Sequence, residues 1–132
     1  MNENELNKIS ETIIGCAYAV GNALGNGFLE KVYENALALE IGEKNLDVKK
    51  QYPISVFYKN LVVGEYIADL LVENKIIVEL KTVKGIDEIH LAQCLNYLKA
   101  THLPLCLLIN FGKPRVEVKR VFQSVNLRNV FE

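Results

Sequence analysis

Long apolar runs are missing from this chain, and so is a dominant charge of either sign. No stretch approaches the ~18 consecutive apolar residues of a membrane span, although 50% of the 132 residues are apolar. The first residues, MNENELNK, are polar and acidic and lack a secretory signal pattern, so a cytoplasmic location and no membrane partner are expected. Cysteine is scarce. Cys16, Cys94 and Cys106 are odd in number, far apart and each set in an apolar run, which reads as three reduced core thiols. No CxxC pair opens a zinc or dithiol site, and His102 has no metal-ligand partner at suitable spacing. Neither GxxxxGK[ST] nor GxGxxG occurs, which removes phosphate-loop and dinucleotide-binding chemistry. The serines and threonines lack a paired histidine and acid.

A net charge of −1 gives no general polyanion-binding signal. The charge is unevenly spread. Three lysines stand against eight carboxylates over residues 1–47, and twelve basic groups against eight acidic ones over residues 48–132. Lys113, Arg115, Lys119, Arg120 and Arg128 form either a phosphate-contacting strip or a solvated strand face.

The length suggests one domain spanning residues 1–132, with a core over about 5–122. Leu6, Ile9, Ile13, Ala17, Val20 and Leu24 recur at helical spacing and predict a helix over residues 3–24. Glycines at 21, 25 and 27 loosen and end it; a second helix is expected from about Phe28 to Glu43, closed by Asn45. The pattern then turns to strand: a short one at 46–51, another at 53–58 (PISVFY), a turn at Lys59-Asn60, a long one at 61–72 with Gly64 marking a bulge, and IIVELK at 76–81. A helix from Ile86 or Asp87 to Ala100 follows. The almost wholly apolar 104–111 reads as a strand covered on both faces, and 115–122 as a last strand. The fold class is α/β: a central mixed sheet flanked by helices, with the 87–100 helix crossing over between parallel strands.

Asp69 and the triplet Glu79-Leu80-Lys81 are the chemistry-bearing positions. Alternation along a strand sends Glu79 and Lys81 to one face and Leu80 to the other. The break at Asn74 and Lys75 is short enough for a hairpin, which brings Asp69 near Glu79. Two hard carboxylates suit magnesium or manganese, and the backbone carbonyl of Leu80 offers a further oxygen. Lys81 would orient a water or neutralise charge developing at a phosphate. The alternative is an exposed cross-strand ion pair of little energetic value. The apolar flank Ile76, Ile77, Val78 and Leu80 favours the first reading, because charge at the end of a buried strand is costly.

Asp69 followed by Glu79-Leu80-Lys81 resembles the PD-(D/E)XK nuclease motif. Gly27-Phe28-Leu29-Glu30-Lys31-Val32-Tyr33-Glu34 is similar to the signature of the GxxExxY family, a small branch of that superfamily. Ala68 stands where the superfamily name implies proline. The resemblance implies a restriction-endonuclease-like fold, a magnesium-dependent nuclease, metal-binding acids at Asp69 and Glu79, a catalytic lysine at Lys81, and Glu30 joining the metal site. Glu30, Tyr33 and Glu34 share one helix face, which is either a wall of the cleft or a solvated surface. Gln93 and Tyr97 match a QxxxY pattern of exonuclease-like branches; Tyr97 reads equally as a packing residue. His90 and Lys84 are weaker candidates for phosphate contact. The implied partner is nucleic acid, DNA first. A homodimer, paired through the helices or the last strand, would extend the footprint of so small a domain. The competing reading is a catalytically weak nuclease-like module that binds nucleic acid or a protein.

Overall fold

The computed structural model describes residues 2–123. Arg128 and the other residues from 124 to 132 lie outside them. The elements run α1 (Glu3–Leu24), α2 (Glu30–Glu43), β1 (Val48–Tyr58), β2 (Leu61–Val72), β3 (Ile76–Lys81), α3 (Glu88–Thr101), β4 (Leu105–Asn110) and β5 (Glu117–Phe122). The strands form one five-stranded sheet in sequence order. Only β3 and β4 are parallel, and α3 makes the crossover between them.

Short-range chemistry sets the element ends. Asn2 caps α1 through a hydrogen bond from Glu5 N–H, and Asp87 caps α3 through those of Ile89 and His90. His90 Nδ1 accepts the Asp87 N–H in return, completing a capping box, so the imidazole serves the helix start. In the two-residue turn Lys59-Asn60 and the three-residue connection Glu73-Asn74-Lys75, the pairs Lys59-Asn60 and Glu73-Asn74 have positive φ, the geometry that suits the twist of paired strands.

Apolar side chains cover both faces of the sheet. Leu70, Val72, Val78, Leu80, Leu107 and Ile109 pack against Ile13, Ala17 and Val20 of α1 and Leu37 and Ile41 of α2. Leu71, Ile77, Cys106 and Leu108 pack on the other face against Cys94, Tyr97 and Leu98 of α3. Every residue of β4 is buried, as its unbroken apolar run requires. The three cysteines are free and buried.

Two expectations need correction. The second helix begins at Glu30, because Leu29 is extended and serves as its N-cap position. The segments 46–51 and 53–58 are one strand, not two. Pro53 suggested a break, yet it is tolerated here because β1 lies at the edge of the sheet. The expected irregularity at Gly64 is present: the β1–β2 register slips between Val56 and Phe57, opposite Val62, Val63 and Gly64.

Candidate active site

The site lies where β2 and β3 part. Their ladder covers Leu70↔Val78, Leu71↔Ile77 and Val72↔Ile76, then stops. At the next position side chains replace main-chain pairing. Asp69 N–H donates to Glu79 Oε1 at 2.9 Å, and Leu80 N–H donates to Asp69 Oδ2 at 2.8 Å. The carboxylates are thereby fixed by each other's strand and share one gap.

β1 contributes to this fork. Gln51 has φ +52°, unusual for a side-chain-bearing residue in a strand, and falls between the pairs Lys50↔Leu70 and Tyr52↔Ala68, across from Asp69. Residues two apart on a regular strand share a face, but Ala68 packs with α3 and Leu70 with α1 and α2. The strand therefore turns over at Asp69. Gln51 Nε2 donates to Glu34 Oε1 at 2.8 Å, tying the kink to α2. Glu34 is 2% exposed and also accepts from Lys31 Nζ at 3.0 Å. Gln51 was not singled out from sequence; no local signal marks a kink that depends on the strand opposite.

Electrostatics record the crowding. Burial pushes the Glu79 carboxyl up to about 8, and the neighbouring Asp69 adds to the rise. Burial also holds Asp69 above the usual carboxylate range, with Glu34 adding to it, against the opposing hydrogen bond from Leu80 and the charge of Lys81. Glu30 is raised by burial and then by Asp69. Tyr97 is raised by burial and then by Glu79 and Asp69, which puts its phenol within the field of both acids; its hydroxyl reaches Ile67 O at 3.4 Å. Lys81 is half-buried on the face that carries Glu79. It makes no ion pair within 4.0 Å among the described residues, so the cross-strand salt bridge is absent.

Asp69, Glu79, Lys81 and Glu30 are thus brought into one electrostatic neighbourhood, with Tyr97 at its α3 side. Tyr33 is placed elsewhere. It is fully buried, stacked on Phe111 with ring centroids 4.7 Å apart, and its hydroxyl donates to Gly25 O and accepts from Phe28 N–H. It closes the α1–α2 loop and does not face the carboxylates. Gln93 is half-buried, and its side chain makes no hydrogen bond among the described residues. His102 is exposed at the left-handed C-cap of α3, and Lys84 is exposed in the loop after β3.

That loop is anchored by Asn110, which the sequence reading passed over. Fully buried, it accepts from Val83 N–H and Gly112 N–H at 3.0 and 2.9 Å and donates to Val83 O at 2.9 Å. A Cβ on Gly112 would lie 2.4 Å from Val83 N, so the two loops meet main chain to main chain beside Lys81.

Among the described residues no three His, Cys, Asp or Glu side chains gather as a metal cage. The donor set nevertheless fits a hard divalent cation. Burial and like charge oppose the ionisation of both Asp69 and Glu79, the condition that a cation relieves, and magnesium commonly keeps several waters beside one or two carboxylates.

A mixed sheet with an acid facing an acid-x-lysine strand across a fork is a restriction-endonuclease-like α/β fold. The chain belongs to the PD-(D/E)XK nuclease superfamily, whose family model matches residues 7–121. Among solved structures it is similar to that of SSO0001, with a TM-score of 0.58 and 18% identity over 98% of this chain. The chain spans 65% of the length of SSO0001. It is also similar to an alkaline exonuclease from Laribacter hongkongensis, with a TM-score of 0.51 and 12% identity, covering 92% of this chain and 86% of that one. No curated protein matches it by sequence. No helix among the described residues is long and apolar enough to cross a membrane.

Proposed function

We propose that this chain is a magnesium- or manganese-dependent nuclease of the GxxExxY branch, folded as one domain and acting on nucleic acid, DNA first. One observation carries the reading: the Asp69 and Glu79 carboxyls accept main-chain hydrogen bonds from each other's strand while Lys81, on the strand of Glu79, makes no ion pair among the described residues. Asp69, Glu79 and the Leu80 carbonyl would hold the ion, with Glu30 beside them. When bound, such an ion polarises a phosphate and acidifies a water. Lys81 presents positive charge to the phosphate and orients the attacking water. Tyr97 bounds the cleft from α3, and Gln93, one turn earlier, extends that wall toward the substrate. Glu34 and Gln51 hold the kink that aims Asp69.

The test is cleavage of linear, nicked, branched and single-stranded DNA, and of RNA, with either metal. Asp69→Ala, Glu79→Ala and Lys81→Ala should each abolish it, and parental rates in all of them would defeat the assignment. A second reading, a binding module with little catalysis, is favoured by the 3% exposure of Glu79. It predicts tight nucleic-acid binding with no turnover in either metal.

A further inference from the structure

β1 and β2 run on past the sheet. β3 accompanies β2 only from Leu70 to Val72, so the segments 52–58 and 61–69 project as a two-stranded ribbon. The lower part of the ribbon is supported: Ile54 and Ala68 are buried with α3, and Tyr66 packs on Tyr97 with centroids 5.6 Å apart. The rest is bare. Phe57, Tyr58, Leu61, Val63 and Ile67 are each more than half exposed, and Val62 and Tyr66 are only slightly less so. They are shared between the two faces of the ribbon, Phe57 paired with Val62 on one and Tyr58 with Leu61 on the other.

The composition narrows what covers this surface. Residues 53–67 contain one lysine and one glutamate, Lys59 and Glu65. A nucleic acid needs many more cations, and a membrane-surface element carries a basic flank. β1 is also an edge strand, and its two halves differ. Lys49, Lys50, the kinked Gln51 and Pro53 are the devices that keep an edge from pairing. Residues 54–58 (ISVFY) carry none of them. Beside this stretch a cleft of about 450 Å3, lined by Val56, Phe57, Tyr66, Asn96 and Lys99 among others, gives apolar tips a recess to enter.

We propose that the ribbon is a self-association surface whose occupant is a second copy of this chain, docked ribbon against ribbon about a two-fold axis. An isologous contact matches an apolar patch with its own image and requires no complementary charge. The outer edge of residues 54–58, which meets no further strand among the described residues, gives it direction: set antiparallel to its own image it continues both apolar faces of the ribbon across the join. The proposal is independent of the nuclease reading.

Light scattering on the full chain across a concentration series tests it. The parent should have twice the chain mass. The double variant Phe57→Lys/Leu61→Lys should keep its circular dichroism and have a dimer dissociation constant raised at least about thirtyfold. Leu39→Lys, at a residue equally exposed but on α2, should stay dimeric. Hydrogen exchange on the parent gives a second measurement: protection within residues 54–67 should rise with concentration. A parent that stays monomeric overturns the proposal, whether the ribbon is then met by nucleic acid, another protein or residues 124–132. It also fails if the double variant dimerises like the parent, if Leu39→Lys dissociates equally, or if concentration-dependent protection appears elsewhere.

Discussion

β3 (IIVELK) and the outer half of β1 (ISVFY) are both short, mostly apolar strand segments, and the fold treats them in opposite ways. β3 is central, with neighbours on both edges and helices on both faces, and all of it except Lys81 is buried. The outer half of β1 has a neighbour on one edge and much of its side-chain surface in water. The polar groups follow the same division. Glu79 is an acid placed where charge is costly, whereas the ribbon is nearly chargeless where charge would cost nothing. In each case the residue type runs against what its surroundings favour, and such mismatches mark function more clearly than composition does. In the readings proposed above, the first serves a cation and a phosphate and the second a macromolecular surface.

The contrast is sharpest for activity. Lys81→Ala should lower metal-dependent cleavage by a hundredfold or more, on the order of 3 kcal/mol of transition-state stabilisation, while Phe57→Ala should leave single-turnover cleavage within about twofold at protein concentrations that keep the chain associated. Stability comes next. Leu107→Ala, at a fully buried β4 position, should cost about 2–5 kcal/mol in urea denaturation. Leu61→Ala in the ribbon should stay within about 0.5 kcal/mol when measured on monomer.

Acidity separates the two regions in another way. Without metal the folded chain binds the Glu79 proton more tightly than the unfolded chain, its carboxyl titrating at about 8 instead of 4.5. That contribution is complete below about pH 4.5 and is lost as pH rises through about 8. Thermal denaturation in chelator should follow this fall, by up to a few kcal/mol. Glu79→Gln should flatten it, and saturating magnesium should offset it by displacing the proton. Gly112→Ala should cost about 1–3 kcal/mol by pushing the loop after β3 off Asn110. The smallest expected effect is that of Asp87→Ala, about 1 kcal/mol from loss of the α3 cap.

The bounds of α1, β2 and β3 were legible because periodicity and turn residues are local. Asn74 and Asn60 announced their hairpins, and an unbroken apolar run announced β4. Where the reading failed, the deciding contact was distant. Pro53 breaks a strand only if a neighbour needs its missing N–H, and at an edge none does. Tyr33 looked like a cleft residue by its spacing from Glu30, but the α1–α2 loop claims its hydroxyl and Phe111 its ring. Asn110 and Gln51 look ordinary in the chain; one becomes a hub and the other a kink through partners 27 and 17 residues away.

The order of residues alone determined the elements, the alternation that sets Glu79 and Lys81 on one face, and the hairpin that returns Asp69 to them. These depend on steric and hydrophobic preferences acting over a few residues. Tertiary structure decided that the strands part at Asp69, so that carboxylates replace a rung of the ladder, and that the ribbon beyond them stands uncovered among the described residues. Both depend on which strands end up adjacent and how far each runs, and a chain fixes that only when its distant segments compete for the same core.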